Sequence, residues 1–515
     1  MSAGCSVHAA TLRGTVAMPV EVEVDLAGGI PGMTIVGMPD SAVLEARSRI
    51  RCALRSAGFD IPRLHVTVNL APSDMRKSGT GFDLPIAVGI LAASGQIPTQ
   101  GFSERLFVGE LALDGRVAEV RGALAYALLA RDRGLALVGA PALARSALAF
   151  SLEGGEAAGI SGLSRLRAGL QNLEDVVAEV PGDEAAGRIT AAGGLDYAEV
   201  IDQEAAKRAL VVAAAGGHGL LMVGPPGAGK TMLARRMPTI LPELSDAERL
   251  ESMLVHSVCS LPLEELAAGV RPFRSPHHTI SRAGLVGGGK PVTPGEASLA
   301  HRGVLFLDEL PEFAPAVLQS LRQPMEDGEV LIVRAEGSYS FPCRFQLIAA
   351  SNPCPCGHAG DRGHPCRCTP GEVERYQGRI GGALLDRIDV FVSVARPVAG
   401  KVIGGGEGMS SADMREQVVG AREFCAWRAS RGICSGQRGG DAAGVMGALG
   451  LTDEAASALE RVAERLALGG RAISRTAKVA RTVADLARHE RVEAVDVAEA
   501  CAYRNRLGPE GSSHA

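Results

Sequence analysis

The sequence predicts a multidomain chain: a mixed α+β domain first, an α/β domain with a parallel sheet second, and a small α-helical domain last. Three observations lead to this prediction. Alternating and β-branched segments surround a glycine loop in residues 1–170. Apolar strands that end in a glycine-rich loop or in acidic residues occupy 194–398, as a parallel sheet requires. Amphipathic helical spacing occupies 405–508, and 515 residues suffice for about three domains.

The composition is that of an ordinary folded protein, and it narrows the possible partners. Hydrophobic residues make up 46% of the chain and the net charge is −5, so any nucleic-acid binding must use a local basic patch. Aromatic residues make up 3%, which argues against an extensive base-stacking platform. No apolar run reaches the roughly 18 residues of a membrane span, and residues 1–5 do not resemble a signal peptide. We therefore expect a cytoplasmic protein with no membrane partner.

Residues 1–170 mix strand and helix signals, which predicts an α+β domain. A glycine loop at 77–85 opens the second helix of this domain. Acidic, glycine-containing and weakly periodic residues follow at 171–193, and these predict a linker. The predicted strands are 16–26, 64–70, 106–111 and 116–120, and the predicted helices are 39–57 and 86–94.

Residues 109–117 of this domain, Gly-Glu-Leu through Gly-Arg-Val, resemble the protease domain of Lon. Lon cleaves peptides with a serine–lysine pair, in which the lysine activates the serine. On the Lon pattern the serine position falls near Gly81, and no lysine occupies the partner position, because Lys77 is the sole lysine among the first 206 residues. Ser73 and Ser78 are alternative nucleophiles without a base. The resemblance thus implies a Lon-protease-like fold without the catalytic dyad, acting as a scaffold or binding domain.

The second domain contains the pattern G-x-x-x-x-G-K-[ST], the P-loop, between a buried strand at 219–223 and helical residues at 232–236. Its glycines let backbone N–H groups surround phosphates, and the helix that starts there directs its positive end at the anion. We expect the lysine to reach the β- and γ-phosphates of ATP and the threonine to hold Mg²⁺. The alternative is a glycine-rich turn with a chance lysine. The eight residues are Gly224, Pro225, Pro226, Gly227, Ala228, Gly229, Lys230 and Thr231.

Two more strands are predicted to deliver polar side chains to the same sheet edge. Residues 303–310 form an apolar strand that ends in Asp308 and Glu309. We expect Asp308 to coordinate Mg²⁺ and Glu309 to orient or deprotonate the attacking water. The strand at 345–350 ends near Asn352, a candidate sensor of the γ-phosphate, although an Asn-Pro turn is an alternative explanation. Gln203, before a predicted helix, is a weaker candidate for packing on the adenine.

Arg387 lies between two acids, Asp386 and Asp389, in an apolar frame. It is a candidate arginine finger that would act on the nucleotide of a neighbouring subunit. The alternative is an intrachain ion pair with one of the two acids. Arg375 and Arg379 are second choices for the same role.

Four cysteines form the pattern C-x-C, nine residues, C-x-C in a glycine- and proline-rich loop at 354–368. Four thiolates in one short loop suit a tetrahedral structural Zn²⁺, with His358 and His364 as alternative ligands. Free thiols or a redox pair are the alternatives. The cysteines are Cys354, Cys356, Cys366 and Cys368.

Two segments carry cations among glycines, at 272–294 and 329–344. The second alternates as a hairpin around Gly337. Repeated around a ring, these cations would line a basic channel for DNA despite the acidic total charge. Solvated charges on surface hairpins are the alternative. The cationic residues are Arg274, His277, His278, Arg282, Lys290, Arg334 and Arg344.

The segments Pro-Phe-Arg-Ser-Pro-His-His-Thr-Ile-Ser at 272–281, Pro-Gly-Glu-Ala-Ser-Leu-Ala-His at 294–301 and Asn-Pro-Cys-Pro-Cys-Gly at 352–357 resemble the magnesium-chelatase-like AAA+ ATPases of the YifB/ComM family. The likeness covers essentially the whole chain. It implies a homo-oligomer, expected to be a hexamer, and ATP hydrolysis with Mg²⁺. ComM of that family is a helicase that drives branch migration of DNA in natural transformation, so DNA, branched or single-stranded, is the implied partner.

The resemblance also assigns a role to the last domain, a helical lid over the nucleotide at 405–508, in which Arg471 is the sensor-2 candidate. Helices are predicted at 452–468, 477–489 and 496–504, and residues 509–515 are expected to form a disordered tail. Two rival functions remain. A chelatase-type or chaperone-like ATPase would remodel a protein partner, and an ATP-dependent protease would need the dyad lysine that is missing.

Overall fold

The computed structural model describes residues 4–150, 155–177, 194–335, 337–361, 363–404, 408–433, 447 and 449–504. Predictions for 178–193 and for the tail at 509–515 concern residues outside these ranges. Within them the chain forms an α+β region, an α/β region around a parallel sheet, and a group of helices at the carboxyl end.

The first region is a mixed sheet of eight strands in the order β10-β9-β8-β5-β1-β2-β4-β3. Its longest pairing is antiparallel, with Cys5 opposite Val24 and Arg13 opposite Val16. The core helix, Asp83–Ala93, is apolar on all sides, so it is buried all round against the sheet. The elements are β1 Cys5–Arg13, β2 Val16–Ala27, β3 Gly32–Val36, α1 Ser41–Ser56, β4 His65–Ala71, α2 Asp83–Ala93, β5 Arg105–Phe107, β6 Glu110–Leu111, β7 Val117–Ala118, α3 Ala123–Asp132, β8 Ala136–Gly139, α4 Pro141–Phe150, β9 Ala157–Gly159 and β10 Glu174–Asp175.

The edge strand β10 pairs with β9, with Glu174 opposite Gly159. The first sheet therefore continues to Asp175, past the boundary at 170 that the sequence suggested.

The second region is built on five parallel strands in the order β12-β15-β18-β11-β19. Helices cover both faces, which is why these strands are almost continuously apolar and buried. The elements are α5 Glu204–Gly216, β11 Leu220–Val223, α6 Lys230–Arg235, α7 Met237–Ile240, α8 Asp246–Val258, α9 Glu264–Ala267, β12 Phe273–Arg274, α10 Arg282–Val286, β13 Gly287–Gly288, β14 Thr293–Pro294, α11 Glu296–Leu299, β15 Val304–Leu307, α12 Pro315–Ser320, α13 Arg322–Asp327, β16 Glu329–Arg334, β17 Gly337–Pro342, β18 Gln346–Ser351, α14 Pro370–Gly378, α15 Gly382–Leu385, β19 Val390–Ser393 and α16 Ala399–Ile403.

Two hairpins leave this parallel sheet. The β13–β14 hairpin is small, with Gly288 opposite Thr293, and the β16–β17 hairpin pairs over its full length. The turn after β1 approaches the second hairpin closely. A Cβ on Gly14, which has φ +64°, would lie 2.5 Å from the carbonyl oxygen of Ser340. The first region therefore contacts the segment that we expect to meet DNA.

The carboxyl-terminal region consists of helices α17 Ser411–Ser430, α18 Asp453–Arg465, α19 Gly470–Leu486 and α20 Ala494–Ala502. The apolar faces of these helices join the core of the parallel sheet, where Met414, Val418 and Ala480 are buried beside α5. The structure shows helices where the sequence predicted them, and it starts α19 at Gly470, seven residues before the predicted start at 477. That this region acts as a lid stays a prediction.

Candidate active site

The strand order places three predicted site segments side by side. β18 lies between β11 and β15, with Val223 opposite Ser351 and Leu307 opposite Ala349. Because all three strands are parallel, their carboxyl ends meet at one sheet edge. The P-loop follows β11, Asp308 follows β15 and Asn352 follows β18.

The P-loop has the backbone that its glycines were expected to permit. Gly227 and Gly229 have φ values of +77° and +89°, which residues with a side chain adopt only with strain. Helix α6 begins at Lys230 directly after them, so its first N–H groups are directed at the loop.

The Lys230 ammonium lies in the middle of the site and is 9% exposed. Its Nζ donates to the carbonyl oxygens of Gly224 at 2.6 Å and Pro225 at 3.0 Å, and to Asn352 Oδ1 at 3.1 Å. Burial lowers the pKa of Lys230, and the carboxylates of Asp308 and Glu309 oppose that shift. The lysine and the sensor candidate therefore meet at the same point.

Thr231 and Asp308 are also in direct contact. Thr231 Oγ1 donates to Asp308 Oδ2 at 2.6 Å. A hydroxyl and a carboxylate in contact beside a phosphate-binding loop are the ligands that Mg²⁺ takes in such sites, so these residues fit that ion.

Glu309 stands next to this pair but in a different backbone conformation. Its φ is +51°, in the left-handed region, and its N–H donates to Asp308 Oδ1 at 2.9 Å. Its side chain is 56% exposed, and Oε2 lies 3.5 Å from His278 Nδ1. Sequence reasoning did not find this contact, since the two residues belong to different predicted segments.

Gln203 is buried between the P-loop and the end of β19. Its Nε2 donates to the carbonyl oxygens of Ala395 at 2.8 Å and Ala228 at 3.3 Å. Gln203 therefore ties the segment before α5 to the P-loop backbone. Its proposed contact with adenine stays a prediction.

The candidate arginines lie at the other end of the sheet. The Asp389 N–H donates to the Gly219 carbonyl oxygen at 3.0 Å, so Arg387 lies beside the start of β11. The four residues of that strand, about 13 Å long, separate this end from the P-loop. Burial lowers the pKa of Arg387, and the nearby guanidinium groups of Arg322, Arg475 and Arg471 lower it further.

Arg387 forms an ion pair with Glu326, not with the acids beside it in the sequence. Asp389 instead faces His218 at 3.3 Å and Arg475 at 3.8 Å. Arg471, which was expected to bind the nucleotide from the lid, is grouped with Arg387. The second choices are engaged elsewhere: Arg379 pairs with Glu312 at 3.7 Å, and Arg375 donates to the Gly371 carbonyl oxygen at 3.1 Å.

The four cysteines of the 354–368 loop converge. Their Sγ atoms all lie within 4.8 Å of one another. Cys354 Sγ is 3.4 Å from Cys356 Sγ and 3.7 Å from Cys366 Sγ, which is close to the roughly 3.8 Å between thiolates around a tetrahedral Zn²⁺. Backbone N–H groups of Arg367 and His358 lower the pKa of Cys356 to about 6. The donor set fits a zinc ion.

The histidines that were alternative ligands face away from these thiols. His358 Nδ1 lies 3.3 Å from Asp361 Oδ2, and His364 Nδ1 lies 3.7 Å from the same oxygen. The cysteine loop also contacts the P-loop. A Cβ on Gly357, which has φ +82°, would lie 2.6 Å from Pro226 Cδ.

The two basic segments contact each other. A Cβ on Gly287 would lie 3.2 Å from Ile332 Cδ1, and one on Gly288 would lie 3.6 Å from Arg334 Nη2. One predicted channel cation is already engaged. Arg274 binds the Glu296 carboxylate through two bonds of 2.6 and 2.8 Å, so it fixes the segment.

In the first region the residues of the Lon pattern form no serine–lysine pair among those described. Lys77 is buried, and its Nζ donates to the carbonyl oxygen of Pro72. Beside Gly81, the Thr80 hydroxyl donates to Glu110 Oε2 at 2.5 Å. The assignment of this region as an inactive Lon-like domain stays a prediction.

The parallel sheet, the P-loop and the acidic strand define a P-loop nucleotide-binding core of the AAA+ class. Three family models match: magnesium chelatase subunit ChlI over residues 196–402, subunit ChlI of Mg-chelatase over 22–142, and the ChlI C-terminal family over 408–504. The chain is 41% identical to competence protein ComM of Haemophilus influenzae over 513 residues, 97% of each chain. It is 40% identical to YifB of Escherichia coli, over 97% of this chain and 96% of that one. The chain belongs to this magnesium-chelatase-like AAA+ ATPase family.

A more distant relative is the 38 kDa magnesium-chelatase subunit of Cereibacter sphaeroides, 27% identical over 39% of this chain and 59% of the subunit. Among the residues that the structure describes, no helix is long and apolar enough to cross a membrane.

Proposed function

We propose that this chain is an ATP-hydrolysing motor that forms a ring and moves DNA strands, with the activity of a helicase that promotes branch migration. The observation that supports ATP hydrolysis most directly is the convergence of Lys230, Thr231, Asp308 and Asn352 at one sheet edge, through contacts of 2.6 to 3.1 Å.

In this proposal the P-loop binds the phosphates of ATP and Lys230 leaves its loop carbonyl partners for the β- and γ-oxygens. Thr231 and Asp308 hold Mg²⁺, which neutralises charge on the phosphates. Glu309 orients or deprotonates the attacking water, and Asn352 donates from its amide to the γ-phosphate or the water. The buried lysine, with its pKa lowered, stays close to its carboxylate neighbours.

The distance between the arginine group and the P-loop supports a ring. Arg387 and Arg471 lie at the amino end of the strands, whereas the nucleotide site lies at the carboxyl end. In a closed ring of identical subunits, one subunit's surface faces a different surface of the next. We propose that both arginines act on the neighbour's nucleotide, which replaces the expectation that Arg471 binds ATP within its own chain.

DNA is the proposed substrate because two hairpins with cations project from the sheet and touch each other. Lys290, Arg282 and Arg334 supply positive charge there, and a ring multiplies it. The similarity to ComM and YifB over nearly the whole chain supports the same substrate.

The test is ATP turnover of the purified protein with and without four-way or forked DNA at low salt, beside Lys230→Ala. We expect branched DNA to raise turnover and the variant to be inactive, and strand displacement is then measured directly. Turnover that is real but indifferent to every DNA would favour the alternative, a chelatase-type or chaperone-like ATPase that remodels a protein partner. The similarity to a magnesium-chelatase subunit motivates that alternative.

A further inference from the structure

The carboxylate of Glu309 contacts the segment that we expect to meet DNA. Glu309 Oε2 lies 3.5 Å from Nδ1 of His278, and His278 lies in the loop between β12 and α10. Within the part of the chain that the structure describes, this histidine is the ion-pair partner of Glu309. A side chain from the basic segment therefore reaches the group proposed to act on water.

The His278 ring is held in place by its neighbours. It lies against the His277 ring, with centroids 4.1 Å apart, and meets the Phe313 ring edge-on at 6.4 Å. Phe313 is 1% exposed and belongs to the core below β15, so it is a fixed support. The His278 side chain is 31% exposed, which leaves it accessible from the loop side.

Glu309 has few other restraints on its side chain. Its backbone is set by the left-handed φ of +51° and by the N–H bond to Asp308. These fix the direction in which the side chain leaves the strand but not the position of the carboxylate. The imidazole is then the group that decides where the carboxylate stays.

The loop that carries His278 is fixed at one end and coupled to a hairpin at the other. Arg274 holds its start through the two bonds to Glu296, and Ser281 caps α10 by accepting from the Gly284 N–H at 3.1 Å. Gly287 then approaches Ile332 of β16. A ligand that displaces the hairpins therefore moves a loop whose middle holds His278.

We propose that His278 is a positioning residue that restrains Glu309 until DNA engages the basic segments. DNA binding withdraws the imidazole, and the released carboxylate turns to the attacking water. This inference rests on the proposed function, because it assumes that Glu309 acts on water and that these segments bind DNA.

The test compares wild type, His278→Ala and His278→Asn, measuring DNA-free turnover, DNA-stimulated turnover and ATP affinity separately. His278→Ala is expected to raise DNA-free turnover, about tenfold if the released state is populated at roughly 10%, and to reduce the stimulation by DNA correspondingly. ATP affinity stays unchanged. Asn places an amide N–H where Nδ1 stood, so His278→Asn restores low DNA-free turnover, which a purely structural role would not predict.

The control is His65→Ala, a histidine of similar partial exposure that binds Thr34 at 3.0 Å in the first region, and we expect wild-type rates from it. Equal rates for wild type and His278→Ala overturn the inference. A parallel fall of both DNA-free and stimulated turnover also overturns it. If wild-type turnover equals that of Lys230→Ala, or DNA has no effect on wild type, the proposed function itself has failed, and that result is distinct from either outcome above.

Discussion

Asn352 is the residue whose chemical and structural roles are most easily separated. Its Oδ1 accepts from Lys230 Nζ at 3.1 Å, at the end of the strand between the P-loop and the acidic strand. We expect Asn352→Ala to lower the turnover number by about 10²-fold, as loss of one oriented donor near a transition state does, with little change in ATP affinity. Steady-state kinetics and direct nucleotide binding measure the two quantities.

The matched control for that variant is Gln377→Ala. Gln377 is also an amide, and its Nε2 donates to the carbonyl oxygen of Pro353, the next residue, at 3.1 Å. It braces the same turn from outside the phosphate site, so we expect near wild-type turnover. If Asn352→Ala instead loses ATP binding and turnover together, the residue supports the turn and is not a sensor.

At this same scale the sequence was informative where partners are set by local chain geometry. A loop and a strand end fix Lys230, Asp308 and Asn352 within a few residues, and parallel strands then bring them to one edge. Arg274 was wrongly expected to be an unpaired channel cation, because its partner Glu296 lies 22 residues away. The contact between His278 and Glu309 was missed for the same reason.

At the scale of elements, the cysteine loop is the feature most open to test. Its Sγ atoms lie within 4.8 Å of one another, and Gly357 abuts Pro226 of the P-loop. We expect about one zinc ion per chain, and we expect Cys354→Ser to lose it, because a structural site needs all four ligands. The variant should also bind ATP more weakly, since the loop supports the P-loop. Metal analysis and nucleotide binding measure these effects.

Cys259→Ser is the control for the loop variant, because Cys259 is a partly buried cysteine that follows α8 and lies outside the cluster. It should retain zinc and ATP binding. Metal content that is unchanged in Cys354→Ser, or absent from the wild type, would refute the zinc assignment and favour free thiols.

The helices of the carboxyl region show why some elements were harder to predict than others. Helix α19 has an apolar stripe and was expected in part, but α17 was not identified. α17 buries Arg428, whose partner Asp485 lies 57 residues further along the chain at 2.8 Å. A charged residue on the buried face hides the helical pattern, and only the tertiary fold reveals that the charge is compensated.

At the scale of the whole molecule, the active site of one chain is incomplete. The P-loop and the arginine group occupy opposite ends of one parallel sheet, so a single chain cannot bring Arg387 to its own nucleotide without large rearrangement. A net charge of −5 likewise gives one chain little attraction for DNA, whereas repeated hairpins concentrate the cations. Both proposals therefore depend on assembly, which no pattern within the sequence specifies directly.

Mixing two inactive variants tests this dependence. Lys230→Ala lacks a working P-loop, and Arg387→Ala should be slower than wild type by about 10³-fold or more, as arginine fingers are. In rings formed from equal amounts of both, about one interface in four pairs an intact P-loop with an intact Arg387 from the neighbour. We therefore expect the mixture to recover a substantial fraction of wild-type ATP turnover. A mixture as inactive as its components would show that Arg387 acts within its own chain, and its ion pair with Glu326 would then be its whole role.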